Sequence, residues 1–398
     1  MSQTLEGLKV VELGSLIAGP FAGKMFAEFG ADVLKVEPPK KGDPLREWRH
    51  VYDGNSLWWR LQSRNKKSVT INLKSEEGQD IVRSLVKDAD IVIENFRPGT
   101  LEKWNLGYEN LSKINPGIIM VRVSGYGQTG PYKDKPGFGS IGESMGGIRY
   151  VTGHPELPPP RVGISLGDSL AAMYSVIGAM MALYHRDIKG TGEGQIVDVA
   201  LYESVFSLME GMLPEYDKFK VIRERSGASL PGVAPSNTYQ CKDGKYIVIG
   251  GNGDAIFKRF MNAIGRADLA DDPSFESNKG RAANADFLDE AIENWTNTVD
   301  LDTALETLDQ AHVPAGPIYN IEDIIKDPQY NAREMIQEFE LGENDNLKIP
   351  GIIPKLSRTP GRTNWLGPEL GEHTEDTLKN LLGLDQQQIE ELKSKGVI

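Results

Sequence analysis

"LKVVELGSLIAGPFAGKMFAEFGADVLKVE", residues 8–37, decides the fold. It reads as a short apolar strand, a turn through Gly14 and Gly19-Pro20, a helix ("FAGKMFAEFG") and a second apolar strand ("ADVLKVE"). Strand, helix and strand in this succession is the repeating unit of a parallel sheet covered by helices on both faces. The alternation resumes at "SVTINL" (68–73), "SEEGQDIVRSLVKD" (75–88), "ADIVIENF" (89–96) and "GIIMVRVSGYG" (117–127). Ser75 followed by Glu76 and Glu77 marks a helix start, because a side-chain cap and early acids both suit the positive end of a helix.

Further on, "DSLAAMYSVIGAMMALYHRD" (168–187) is apolar nearly all round, which predicts a buried helix. "GQIVDVALYESVFSLMEG" (194–211) adds a strand and a helix, residues 214–235 turn polar and irregular, and "KYIVIGGNGDAIFKRFMNAIG" (245–265) restarts as strand, glycine loop and helix. The reading is an α/β chain: residues 1–224 form the N-terminal part of a large domain, 225–325 a smaller α+β domain, and 326–398 a linker and the C-terminal part of the large domain. The helices "HTEDTLKNLLG" and "QQQIEELKSK" are expected to dock back on the first part.

A chain of 398 residues exceeds what one hydrophobic core usually serves, which favours two folding units. A net charge of −13 with only the short basic clusters Lys40-Lys41 and Arg64 to Lys67 argues against a nucleic-acid partner. Met1 to Leu16 lacks a signal-peptide pattern and the apolar run Met173 to Tyr184 is short for a bilayer, so no membrane partner and a cytoplasmic location are expected. The single Cys241 excludes an internal disulfide and a cysteine-based zinc site. His50, His154, His185, His312 and His373 have no metal-binding spacing, so no metal is expected.

"GISLGDSLAAM" (163–173) sets Asp168 just before the apolar helix. An aspartate there is a favoured N-cap. The same placement suits a charged nucleophile, since the helix end favours the carboxylate and its amides serve a developing oxyanion. "GISLG" also fits the Gly-x-Ser-x-Gly pattern of hydrolases, but nothing else in the chain accompanies it. The turn after the first strand lacks the GxGxxG spacing of a nicotinamide enzyme; it reads either as a tight turn or as a place where backbone meets phosphate. In "YIVIGGNGD" (246–254), Gly250, Gly251, Asn252 and Gly253 read either as a turn with positive φ angles or as a mobile flap over a reaction chamber.

Taken together, these segments with "GDPLREW" (42–48), "RNKKSVTINLK" (64–74), "ADIVIENFRPGTLEKWNLGYENL" (89–111), "VSGYGQTGPYKDKPGF" (123–138), "VPAGPIYN" (313–320) and "LGEHTEDTL" (370–378) resemble the family III CoA-transferases over nearly the whole chain. The resemblance implies a Rossmann-like large domain built from both chain ends, a small domain, and an obligate homodimer of two interlocked rings. It implies Asp168 as nucleophile, passing through an aspartyl mixed anhydride and an aspartyl-CoA thioester, with acyl-CoA and a small mono- or dicarboxylic acid as substrates and no permanently bound cofactor. The positions matching the family's CoA contacts are Ile17, Ala18, Ile71, Asn72, Leu73, Lys74, Asn95, Phe96, Arg97, Lys103, Pro136, Gly137, Phe138 and Gly139. Gly250, Gly251, Asn252 and Gly253 match its substrate loop.

Ser15 and Ile17 stand where formyl-CoA transferases carry histidine and glutamine, which departs from a formyl-CoA pattern. The related racemases need a histidine opposite the aspartate; Phe138 stands at that position and cannot shuttle a proton. Transferase therefore ranks above an acyl-CoA racemase of the same fold.

Overall fold

Strand residues of the large sheet alternate between two apolar layers, and that period of two fixes which helices cover which face. The computed structural model describes residues 2–342 and 345–398. Six strands make the sheet: β1 (Lys9–Glu12), β2 (Asp32–Glu37), β3 (Lys66–Thr70), β4 (Ile91–Glu94), β5 (Ile119–Ser124) and β6 (Ile196–Ala200). Their order is β3-β2-β1-β4-β5-β6 and every pairing is parallel. This is the doubly wound order, in which the chain reverses its direction of travel between β1 and β4 and leaves a crevice beyond their C-terminal ends.

The helices that follow are α1 (Ala18–Glu28), α2 (Glu76–Val86), α3 (Gly139–Met145), α4 (Leu166–Leu183), α5 (Thr374–Leu382) and α6 (Gln386–Ser394). Val10, Val33, Ile91 and Ile119 pack beneath α1 and α4. Val11, Leu34, Val92 and Met120 pack with α2 and with Leu378 of α5 and Ile389 of α6. Ser75 caps α2 by accepting from the Gly78 amide. Pro20 is tolerated inside the first turn of α1 because its missing N–H would have no helical partner there.

The chain makes two compact units: Met1–Ile148 with Arg161–Val221 and Gln337–Ile398, and Arg149–Pro160 with Ile222–Ile336. The smaller unit has an antiparallel sheet of β7 (Ser236–Gln240), β8 (Tyr246–Gly250) and β9 (Ala315–Pro317) in the order β9-β8-β7. Its own core includes Ile247, Ile249, Phe257, Phe260 and Leu288.

Two expectations need correction at α4. The helix is not buried all round: Ala171, Ala172, Ala179 and Ala182 are buried over the sheet, while Met173, Tyr174, Ile177 and Met181 are exposed. The small alanines allow close approach, and the bulky residues occupy the other side. Nor is the helical segment short. Among the described residues, Leu166–Ile188 is the one helix long and apolar enough to cross a bilayer, because it starts through Gly167-Asp168-Ser169 and continues as a π-turn past Tyr184. Its alanine stripe lies against the parallel sheet instead.

Candidate active site

A buried row of charges ends the strands. Glu12 pairs with Lys35 at 3.1 Å and with Lys66 at 2.8 Å, and Lys35 pairs with Asp43 at 2.8 Å. Register places Glu12 beside Lys35 and Glu94 beside Arg122 on neighbouring strands. Burial works against the charge of Lys35, but Asp43, Glu12 and Glu37 outweigh it and hold the ammonium above the usual lysine range. Burial also opposes ionisation of Asp43, and Lys35 with the Leu45 and Leu16 amides overcomes it, so its carboxyl lies below the usual range.

This row holds the turn after β1. Asp43 accepts from the Leu16 amide at 3.0 Å, in a backbone conformation of positive φ that a leucine seldom adopts. Asn95, beyond β4, accepts from the Ser15 amide at 2.7 Å and donates to the Ser15 carbonyl at 2.8 Å. A side chain at Gly14 would meet Asn95 Oδ1 at 2.7 Å, so the glycine is needed for that clasp. The crevice between β1 and β4 is thus tied across its floor.

A cleft of about 370 Å³ opens there, and Asp168 is in its wall. Of the residues proposed for CoA from sequence, it brings together Ile17, Ala18, Asn95, Phe96, Arg97, Gly137, Phe138 and Gly139. A second cleft, of about 860 Å³, is lined by Ile71, Asn72, Leu73 and Lys74 with Lys40 and Lys41, and shares Ser15 and Phe96 with the first. Lys103 and Pro136 are exposed and line neither.

Asp168 is the third residue of α4, and the N-cap position belongs to Ser165. The cap expectation is therefore corrected: one helical turn separates the two roles. A side chain on Gly139 would collide with Asp168 Oδ2, and Gly125 and Gly137 approach so closely that a Cβ on either would stand 2.8 Å from the other's Cα. The bare Gly139 leaves the carboxylate room in the cleft, and the other two let the chain segments after β5 and before α3 touch. Burial, then the neighbouring Glu143, push the Asp168 carboxyl up to about 6, with Arg161 acting in the opposite sense. Glu143 is wholly buried and accepts from the Gly167 amide at 3.3 Å. At neutral pH Asp168 is ionised, poorly solvated and close to the pH at which it would protonate.

The glycine run in the smaller unit has a different basis. None of Gly250, Gly251 and Gly253 has a positive φ, which corrects the turn reading. The Gly250 and Gly251 amides donate to Pro314 and Pro235 carbonyls at 2.9 Å, and the Asn252 carbonyl accepts from the buried Arg281 at 2.7 Å. A side chain on Gly251 would stand 2.7 Å from the Phe260 ring, so its bareness has a packing cause.

The model of CoA-transferase family III matches residues 5–374. The chain belongs to that family. This family III CoA-transferase is 50% identical to the succinyl-CoA–D-citramalate CoA-transferase of Chloroflexus aurantiacus, over 99% of this chain and 98% of the relative. It is 37% identical to the succinate–glutarate CoA-transferase of Agrobacterium fabrum, over 95% of each chain. A solved CAIB/BAIF family protein from Brucella suis superposes with a TM-score of 0.85 at 34% identity, over 96% of this chain and 100% of the other.

Sequence reasoning about the transferase missed Asp43, Glu143 and Arg161. A signal for the first was present: three strands end in an acid, at Glu12, Glu37 and Glu94, and a fourth carries Arg122 near its end, where a buried parallel strand should stay apolar. Such charges need partners, and Asp43 is one. Nothing local in the sequence marks Glu143, which sits in α3 and meets Asp168 through the fold alone.

Proposed function

We propose that this enzyme transfers CoA from succinyl-CoA or a similar acyl-CoA to a small dicarboxylic acid, with Asp168 as the covalent nucleophile. The observation that carries the reading is an ionised, poorly solvated carboxylate, crowded by Glu143 and given room by Gly139, in the crevice beyond β1 and β4. The named activities of the two relatives support a dicarboxylic acceptor.

An Asp168 oxygen attacks the donor's thioester carbon, the C–S bond breaks, and CoA leaves as thiolate with a mixed anhydride left behind. The thiolate then attacks the Asp168 carboxyl carbon of that anhydride, which expels the donor acid and forms the aspartyl-CoA thioester. A carboxylate oxygen of the acceptor attacks the same carbon and expels the thiolate, giving a second anhydride. Finally the thiolate attacks the acceptor's carbonyl carbon, which forms the new acyl-CoA and returns Asp168 as carboxylate. Each step exchanges one acyl bond for another, so no ATP is consumed.

CoA would span both clefts, its acyl end beside Asp168 and its phosphates toward Lys40, Lys41 and Lys74. The exposed Met173, Ile177, Met181 and Tyr184 favour burial against a second copy in an interlocked homodimer, and the buried, unpaired Cys241 suits the reducing cytoplasm. In analytical ultracentrifugation the dimer should persist on dilution; an active monomer would refute it.

Trapping tests the chemistry. Enzyme mixed with succinyl-CoA and then hydroxylamine should carry a hydroxamate at residue 168, read by peptide mass. Turnover without any modification of Asp168 would overturn the mechanism.

A further inference from the structure

A dianionic acid has to enter a cleft that already holds negative charge. The reacting carboxylate itself lines that cleft, and the wholly buried Glu143 beside it pushes its pKa up further. During the second half of the reaction Asp168 is acylated and neutral, yet an incoming dicarboxylate still brings a second carboxylate that takes no part in the chemistry. That group needs a cation within the cleft, or its desolvation opposes binding.

Four cationic side chains line the cleft: Arg49, Arg97, Lys135 and Arg161. Two are engaged, since Arg49 stacks over Trp58 at 4.6 Å and Lys135 over Tyr132 at 3.7 Å. Arg97 follows Phe96, which borders both clefts, and matches a CoA contact in the family resemblance, so we assign it to the nucleotide. Arg161 is exposed, has no ion-pair partner among the described residues, and shares the wall with Ser165 and Asp168. Its charge also reaches Asp168, which places it at the reacting end. Pro158, Pro159 and Pro160 precede it, so the backbone entering Arg161 has little freedom and less entropy is lost when the guanidinium engages.

We propose that Arg161 binds the far carboxylate of a dicarboxylic acid whose near carboxylate reacts at Asp168, and so selects dicarboxylic over monocarboxylic acids. This rests on the dicarboxylate reading above. A planar guanidinium suits the task because it grips a carboxylate through two parallel hydrogen bonds, whereas a lysine ammonium offers a point charge.

Exchange kinetics test it without knowledge of the natural acceptor. Labelled succinate and labelled butyrate, which differ in the far carboxylate, are each offered to the full-length enzyme with succinyl-CoA, and the ratio of their kcat/KM values is measured. The wild-type ratio should strongly favour succinate. In Arg161→Gln the ratio should fall by ~30-fold or more, the loss expected when a charge-assisted pair is removed, and Arg161→Lys should fall between the two. If the wild type discriminates and Arg161→Gln keeps the same ratio, the assignment of Arg161 is overturned. If the wild type does not discriminate, the dicarboxylate reading itself is overturned. A ratio cancels any general loss of folded enzyme, so a poorly folding variant does not blur the outcome.

Discussion

Of the Gly-Asp pairs in this chain, Gly42-Asp43 precedes a helical turn and Gly167-Asp168 lies within the first turn of α4, and the fold gives these two opposite electrostatics. Asp43 caps the short helix Pro44–Glu47, accepts from the Leu16 and Leu45 amides, and pairs with the buried Lys35. Its carboxyl is held below the usual range, which makes it a poor nucleophile and a firm strut. Asp168 has no ion-pair partner among the described residues and faces Glu143, so its carboxyl rises to about 6. A dipeptide alone does not set how readily its carboxyl ionises; the charge placed next to it does.

The largest effect should separate the two aspartates outright. Asp168→Asn should lower transfer by at least ~10³-fold, the scale of removing a central catalytic group, while leaving the protein folded. It should also stabilise the fold at pH 7.5. A carboxyl raised from 3.8 to about 6 contributes a penalty that is absent below its unfolded pKa, grows between the two values, and is complete above 6. The gain should be on the order of 2 kcal/mol at pH 7.5 and should vanish below pH 4. Asp43→Asn should do the reverse, costing about 3–5 kcal/mol because Lys35 loses a buried partner. The stabilisation from Asp43 is present above the unfolded aspartate pKa and is lost as pH falls through its lower folded value, so this penalty also shrinks in acid. Urea unfolding of both variants across pH reads the contrast; equal effects of the same sign would break it.

The smallest effect sharpens the cause. Transfer should fall as pH drops through about 6, since only ionised Asp168 attacks. Glu143→Gln should move that acidic limb to lower pH by removing the neighbouring charge. Buried Glu94, pushed up by its burial to about 7 against the pull of Arg122, is the rival source of such a limb. A limb that stays in place in Glu143→Gln would assign it elsewhere, with Glu94 the first candidate.

Local sequence determined the elements and their kind. The short apolar runs "LKVVE" and "IVIE", the crossover helices between such runs, and Ser75 before paired acids are short-range features whose physics acts within a turn or a strand, and β1, β4 and α2 appear where they point. Asp168 stood out as a candidate, cap or nucleophile, because glycine, acid and apolar helix are consecutive. Tertiary structure decided what those groups do. Asp168 proved to be the third residue of its helix rather than the cap, because the cap depends on where the chain turns before Ser165. Gly139, twenty-nine residues earlier in the chain, is bare because Asp168 occupies the space a Cβ would need. Gly251, within a run that reads as loop chemistry, is bare because Phe260 packs against it. Burial and Coulomb interactions depend on distance through space: Lys35 meets Glu12 only once β2 lies beside β1, and Glu143 nears Asp168 only once α3 packs on α4.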